Sequence, residues 1–265
     1  MAECAARATL GLLLRYIVAL SLLLIGLAGS LIDWSSFLTA ILPAILLVIP
    51  AHEAVHVLVA KALGAGKVSA KPFIRLKYLL VGVAVGFSSP LSLARWSLVA
   101  LAPLLTLSPL FLALGRLEGV LGSLFSASFL LNTAGSSGDL VLLLLAASAG
   151  PKVRVLDEGD SVKIFGARPK LWAVLLLEGV YAFTVATLTL LFALFTAASI
   201  LRQSLIAAGV TLARYTPTDS GFQISVETGA LAVALLASLA FVAVKGRENA
   251  SRIVAALEAG CARSS

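Results

Sequence analysis

Charged residues are scarce in this chain. They make up 12% of its 265 residues, while hydrophobic residues make up 60%; an ordinary soluble domain is about 25% charged. So few charges cannot cover the surface of a water-soluble fold of this length. A soluble enzyme and a disordered chain are thereby excluded, which leaves an integral membrane protein. Cysteine is nearly absent as well. Cys4 and Cys261 lie far apart and in no CxxC-type spacing, so neither a disulfide framework nor a sulfur-ligated metal site is expected. Methionine, asparagine and glutamine are reduced to Met1, Asn132, Asn249, Gln203 and Gln223, a depletion of thermolabile side chains of the kind found in thermophilic proteins. Histidine occurs twice, as His52 and His56.

What the chain has in abundance is apolar runs. A membrane helix needs about 20 apolar residues, and six stretches qualify: 10–32, 37–63, 93–114, 120–149, 171–200 and 230–244. The fourth and fifth are long enough to require tilt or a break. The expected fold is an all-α polytopic membrane protein of about six transmembrane helices, forming a single domain over residues 1–265. Two connections read as β-hairpin-like inserts. Residues 67–90 contain the alternating run Val81-Gly82-Val83-Ala84-Val85, and residues 151–170 place two short strands around Asp157-Glu158-Gly159-Asp160. Residues 249–262 read as a short amphipathic surface helix.

The net charge of +7 does not point to nucleic acid, because the basic residues sit in short loops between apolar runs. Their asymmetry orients the chain instead. With the N terminus in the cytoplasm, 17 of the 20 Lys and Arg residues fall on the cytoplasmic side, and only Arg116, Arg202 and Arg214 fall outside. Both termini are therefore expected in the cytoplasm, with the protein integral to a membrane, the plasma membrane being the expected one. The first run is longer than the apolar core of a signal peptide and reads as an uncleaved helix.

The two histidines form one motif, His52-Glu53-Ala54-Val55-His56, inside the second apolar run. Residues four apart share a helix face, so both imidazoles can reach one ion. Glu53 beside them is placed to take a proton from a metal-activated water and pass it to a leaving amine. Scattering the same residues at random would build this HExxH pattern on the order of once in several thousand trials. Ionisable groups inside a membrane are also costly and mark functional sites.

A catalytic zinc takes three protein ligands and keeps one position open. Two intramembrane acids compete for the third place, Asp139 and Glu178. At 1.5 Å per helical residue, His52 lies about 14 Å, Asp139 about 18 Å and Glu178 about 12 Å from the cytoplasmic end of its own run, so depth does not choose. Local sequence favours Asp139, which follows the polar, glycine-rich interruption Asn132-Thr133-Ala134-Gly135-Ser136-Ser137-Gly138; broken membrane helices line binding sites. Glu178 stays as the alternative ligand. Asn132 reads either as an interhelical hydrogen bond or as a donor to the substrate carbonyl. Pro50, Pro103 and Pro109 are places where a helix can kink or start.

HExxH in one membrane helix, with Asn132, Ser137, Gly138 and Asp139 in a later one, resembles the site-2 protease class. It resembles more closely the related zincin peptidase family of small membrane proteins. The resemblance covers roughly residues 37–170. It implies His52, His56 and Asp139 as ligands of Zn2+, Glu53 as catalytic base, and an active site toward the cytoplasmic face. The partners it implies are the lipid bilayer and a membrane-protein or peptide substrate. The expected function is an intramembrane zinc metalloprotease. The alternative is a catalytically inactive metal-binding membrane protein, a transporter or a scaffold.

Overall fold

The computed structural model describes residues 3–32, 37–75, 80–159, 161–219 and 221–262. Lys77, Asp160 and Arg263, used above for topology and for the second hairpin, lie outside the described residues. Among the described residues, six helical spans are long and apolar enough to cross a membrane. They are built from α1 (Leu10–Gly29), α2 (Phe37–Ala62), α3 (Leu93–Leu114), α4 (Gly119–Gly135) with α5 (Ser137–Ala149), α6 (Leu171–Leu201), and α7 (Thr228–Phe241) with α8 (Arg247–Ala262). The fourth apolar run is thus two helices, broken at Ser136 inside the polar, glycine-rich stretch. The sixth passes through one π-helical turn, Val242–Gly246, into α8. The residues expected to form a separate surface helix therefore continue the sixth span.

Large apolar side chains face outward. Leu42, Leu46 and Leu58 of α2 are 72%, 77% and 66% exposed, as suits a lipid-facing surface. The opposite side of α2 buries Ala40, Ala44, Val48, His52, His56 and Ala60, a row with strict four-residue spacing. Such i±4 rows are the ridges by which helices pack. Ala40 and Ala44 meet Ala127 of α4, and small residues let membrane helices approach closely. Val48 joins Phe111, Phe129 and Leu130 in an apolar cluster. The α4–α5 span is the most buried of the six, and α1, α2 and α3 all pack on α4. Pro43 and Pro50 sit inside α2 without ending it, so the helix does not start at Pro50.

The chain contains more β-structure than an all-α fold with two hairpins. The first expected hairpin is β2 (Val68–Arg75) with β3 (Leu80–Phe87), paired from Val68↔Phe87 to Arg75↔Leu80. The second, β5 (Arg154–Asp157) with β6 (Ser161–Phe165), belongs to a four-stranded antiparallel sheet. That sheet also holds β4 (Leu91–Ser92) beside β5 and, beside β6, the unanticipated β1 (Cys4–Thr9). Arg7 of β1 bonds Ser161 and Glu158, and Lys163 bonds Glu158 from the other strand. Gly260 of α8 lies where an added Cβ would sit 3.1 Å from the Arg7 backbone oxygen, so glycine is what lets the helix approach β1. There Cys4 and Cys261 form a disulfide, with Cα atoms 5.8 Å apart. No disulfide was expected, because a pair 257 residues apart has no spacing signature and only the fold brings its members together.

The residues cluster into two compact units, 1–174 with 251–265 and 175–250. The second unit contains the sheet β7 (Leu205–Ala207), β8 (Val210–Thr218) and β9 (Gly221–Val226), none of it anticipated. Its residues Leu205, Leu212, Ala213 and Ile224 pack with Leu190, Leu194 and Ala230.

Candidate metal centre

α2 delivers two imidazoles to one place. His52 and His56 are each 8% exposed, their rings meet edge to face, and their Nε2 atoms are 3.1 Å apart. Both rings are anchored through the other nitrogen. His56 Nδ1 lies 2.9 Å from the Val99 carbonyl oxygen, which only accepts, so Nδ1 carries the hydrogen and donates. That carbonyl is available for a local reason: the helical N–H that would bond it belongs to residue 103, and Pro103 has none.

His52 is fixed by the same logic, one step longer. Asn132 Nδ2 donates to the Pro103 carbonyl at 3.0 Å and to Ser108 Oγ at 2.8 Å. The atom facing His52 is therefore Oδ1, an acceptor, 3.0 Å from Nδ1, and His52 Nδ1 donates to it. Both Nε2 atoms are left as lone pairs pointing into the same space. Fixing the remote nitrogen of a ligating histidine in this way is the usual support of a metal site.

The helix break supplies the third atom. Ser136 caps α4 with its own backbone and side-chain bonds to the Asn132 carbonyl. Ser21 of α1 bonds the Ala134 carbonyl at 3.2 Å and meets Ser137 Oγ at 2.6 Å, so the interrupted backbone is satisfied by protein. Asp139 is the third residue of α5, where the helix N-terminus favours a carboxylate. Its Oδ2 lies 3.4 Å from each histidine Nε2.

Three acceptor atoms spaced 3.1, 3.4 and 3.4 Å apart need a cation among them. Tetrahedral zinc with ligand bonds of about 2.0–2.1 Å spaces its ligands by about 3.3–3.4 Å, so the donor set fits zinc in type and in spacing. Among the described residues this is the group of metal-ligating side chains that converges. Glu178, buried in α6, is not a member of it.

His52, Glu53, His56 and Asp139 open onto one cavity. Glu53 is half-buried in its wall. Gly135 and Gly138 line it, and a Cβ added at either meets nothing within 4 Å. Asn132 is fully buried and does not line the cavity. Its amide is committed to Pro103, Ser108 and His52. Asp157, at the end of β5, also lines the cavity. In the sequence it stands in a hairpin turn, and an acid two residues before a glycine there carries no other signal. Burial, together with the Asp139 and Glu53 carboxylates, pushes its carboxyl up to about 7, against the opposing pull of the Gly159 N–H and of His56.

The chain thus combines six apolar helical spans with a set of two buried histidines and one half-buried carboxylate able to hold a metal ion, and a glutamate lies in the same helix as the histidines. Residues 45–153 match the family described as "Putative zincin peptidase". That stretch runs from α2 to the start of β5 and holds His52, Glu53, His56, Asn132 and Asp139; over it, the chain is similar to that family. No curated protein and no solved structure matches the chain.

Proposed function

We propose that this protein is an intramembrane zinc metalloprotease that hydrolyses a peptide bond of a membrane-associated substrate. The observation that carries the reading is the convergence of three lone-pair atoms, from His52, His56 and Asp139, beside Glu53 in one cavity. Those three side chains hold the metal. Zinc bound there supplies Lewis acidity toward the scissile carbonyl and toward water. Glu53 takes the proton of the attacking water and returns it to the leaving amine as the C–N bond breaks. Asn132 and the Val99 carbonyl keep both imidazoles in the ligating tautomer. The apolar walls, Leu13, Trp96 and Leu142 among them, suit an apolar peptide segment. The distribution of basic residues in the sequence favours termini in the cytoplasm and water entering from that side.

The test is hydrolysis of a mixed membrane-peptide library in proteoliposomes, with metal content measured in parallel. Glu53→Gln is expected to keep the metal and to lose at least about 100-fold in rate. Identical products from wild type and Glu53→Gln at equal metal content would overturn the protease reading and leave a metal-binding membrane protein without proteolysis.

A further inference from the structure

Three carboxyl groups line the cavity, and no lysine or arginine does among its described residues. Asp139 is taken up by the histidines and Glu53 by the proton transfer. Asp157 has no part in that chemistry. Its place in the wall is nevertheless tightly specified. The Gly159 N–H donates to its Oδ1 at 2.8 Å, an Asx turn that closes the β5–β6 hairpin. The turn is docked on β3, where Gly86 pairs with Glu158. A Cβ at Gly86 would sit 3.0 Å from the Glu158 carbonyl carbon, and one at Gly159, which has φ +92°, would sit 3.1 Å from the Ala84 side chain. Two glycines therefore allow the contact that holds Asp157 over the cavity.

The neighbouring acid shows what Asp157 lacks. Glu158 holds two cations, Arg7 at 3.1 Å and Lys163 at 2.7 Å, and with its hydrogen bonds these keep its carboxyl below the usual range against its partial burial. Among the described residues Asp157 has no salt bridge, and the charged groups acting on it are Asp139 of α5 and Glu53 and His56 of α2. Its raised carboxyl is that of a partly buried acid with two carboxylates and no Lys or Arg acting on it. The cavity is thus two-ended. Around the histidines, Glu53 and Asp139 its helical wall presents the apolar Leu13, Val99 and Leu142, and the hairpin wall presents Asp157, Gly159 and Ser161 beside Val162. A membrane segment that ends in a basic residue has this same pattern, and membrane helices carry such residues at their cytoplasmic ends.

We infer that Asp157 is a specificity-determining residue that receives a Lys or Arg side chain next to the apolar segment of the substrate. The inference rests on the protease reading and names its substrate class. The hairpin outside the membrane spans selects the basic flank, and the helices hold the apolar part beside Glu53.

The test separates binding from hydrolysis. Glu53→Gln protein in nanodiscs of neutral phosphatidylcholine is titrated with a fluorescent Leu/Ala peptide ending in Lys, and with the same peptide ending in Gln or Glu. At pH 8 the Lys peptide is expected to bind about tenfold more tightly than the Gln peptide, the order of one charge-assisted pair. The ratio falls at pH 6, where the Asp157 carboxyl holds its proton. Adding Asp157→Asn, whose amide oxygen can keep the turn, is expected to bring the ratio to about one at both pH values. Asp157→Ser serves if that variant fails to fold, and Glu158→Gln is expected to leave the preference intact. An unchanged Lys preference without Asp157, no preference at all, or no binding of any peptide overturns the inference. A Lys preference that depends on Asp157, in a protein whose wild type cleaves nothing, overturns the protease reading alone.

Discussion

α2 and the α4–α5 span reach the same point by opposite means. α2 stays helical through two prolines and presents His52 and His56 on a buried four-residue ridge. The α4–α5 span stops at Ser136, restarts, and presents Asp139 from the first turn of the new helix. Regular spacing suffices where two ligands come from one helix face. A break serves where one carboxylate must be held in an apolar span, because the new N-terminus favours the charge and neighbouring serines satisfy the freed backbone.

The strongest test of that contrast removes one ligand from each side. His52→Ala and Asp139→Ala are both expected to abolish stoichiometric zinc, read by elemental analysis of purified protein. Zinc retained in Asp139→Ala but lost in Glu178→Ala would mean that the break is not where the third ligand lies. Asn132→Ala leaves all three ligands and removes the support of His52. Zinc affinity is expected to fall by about 10- to 100-fold in a chelator competition, and an unchanged affinity would leave the ridge of α2 sufficient to orient its own histidine. Gly138→Leu fills open space at the break. It is expected to keep zinc while lowering peptide hydrolysis by about tenfold or more, since productive geometry tolerates little displacement. The smallest effect is expected from Pro103→Ala. The restored N–H shares the Val99 carbonyl with His56, and a carbonyl has two lone pairs, so a loss of a few-fold in zinc affinity is expected in the same competition.

The parts legible in the sequence were those written in one dimension. Apolar runs marked the six spans, HExxH marked two of the three side chains that converge, and the polar stretch from Asn132 to Gly138 marked the break. The supports were not legible, because they depend on contacts between elements. The Val99 carbonyl becomes a partner only because Pro103 lies four residues on and α2 lies alongside. Asp157 looked like any acid in a hairpin turn until β3 docked that turn over the cavity. The β7–β9 sheet was missed because the alternation of its strands is interrupted by polar residues, as in Val210–Thr218.

The bond between Cys4 and Cys261 carries a rule of parity. Two sulfurs joined covalently share one aqueous compartment, so the chain between them crosses any bilayer an even number of times. Six crossings satisfy that condition and five do not, whichever compartment the sulfurs occupy. The bond also makes a closed circuit of everything from the first strand to the last helix, with both histidines and the aspartate inside it. A thiol reagent that cannot cross membranes, applied to the reduced protein, would therefore reach both cysteines from one side or neither.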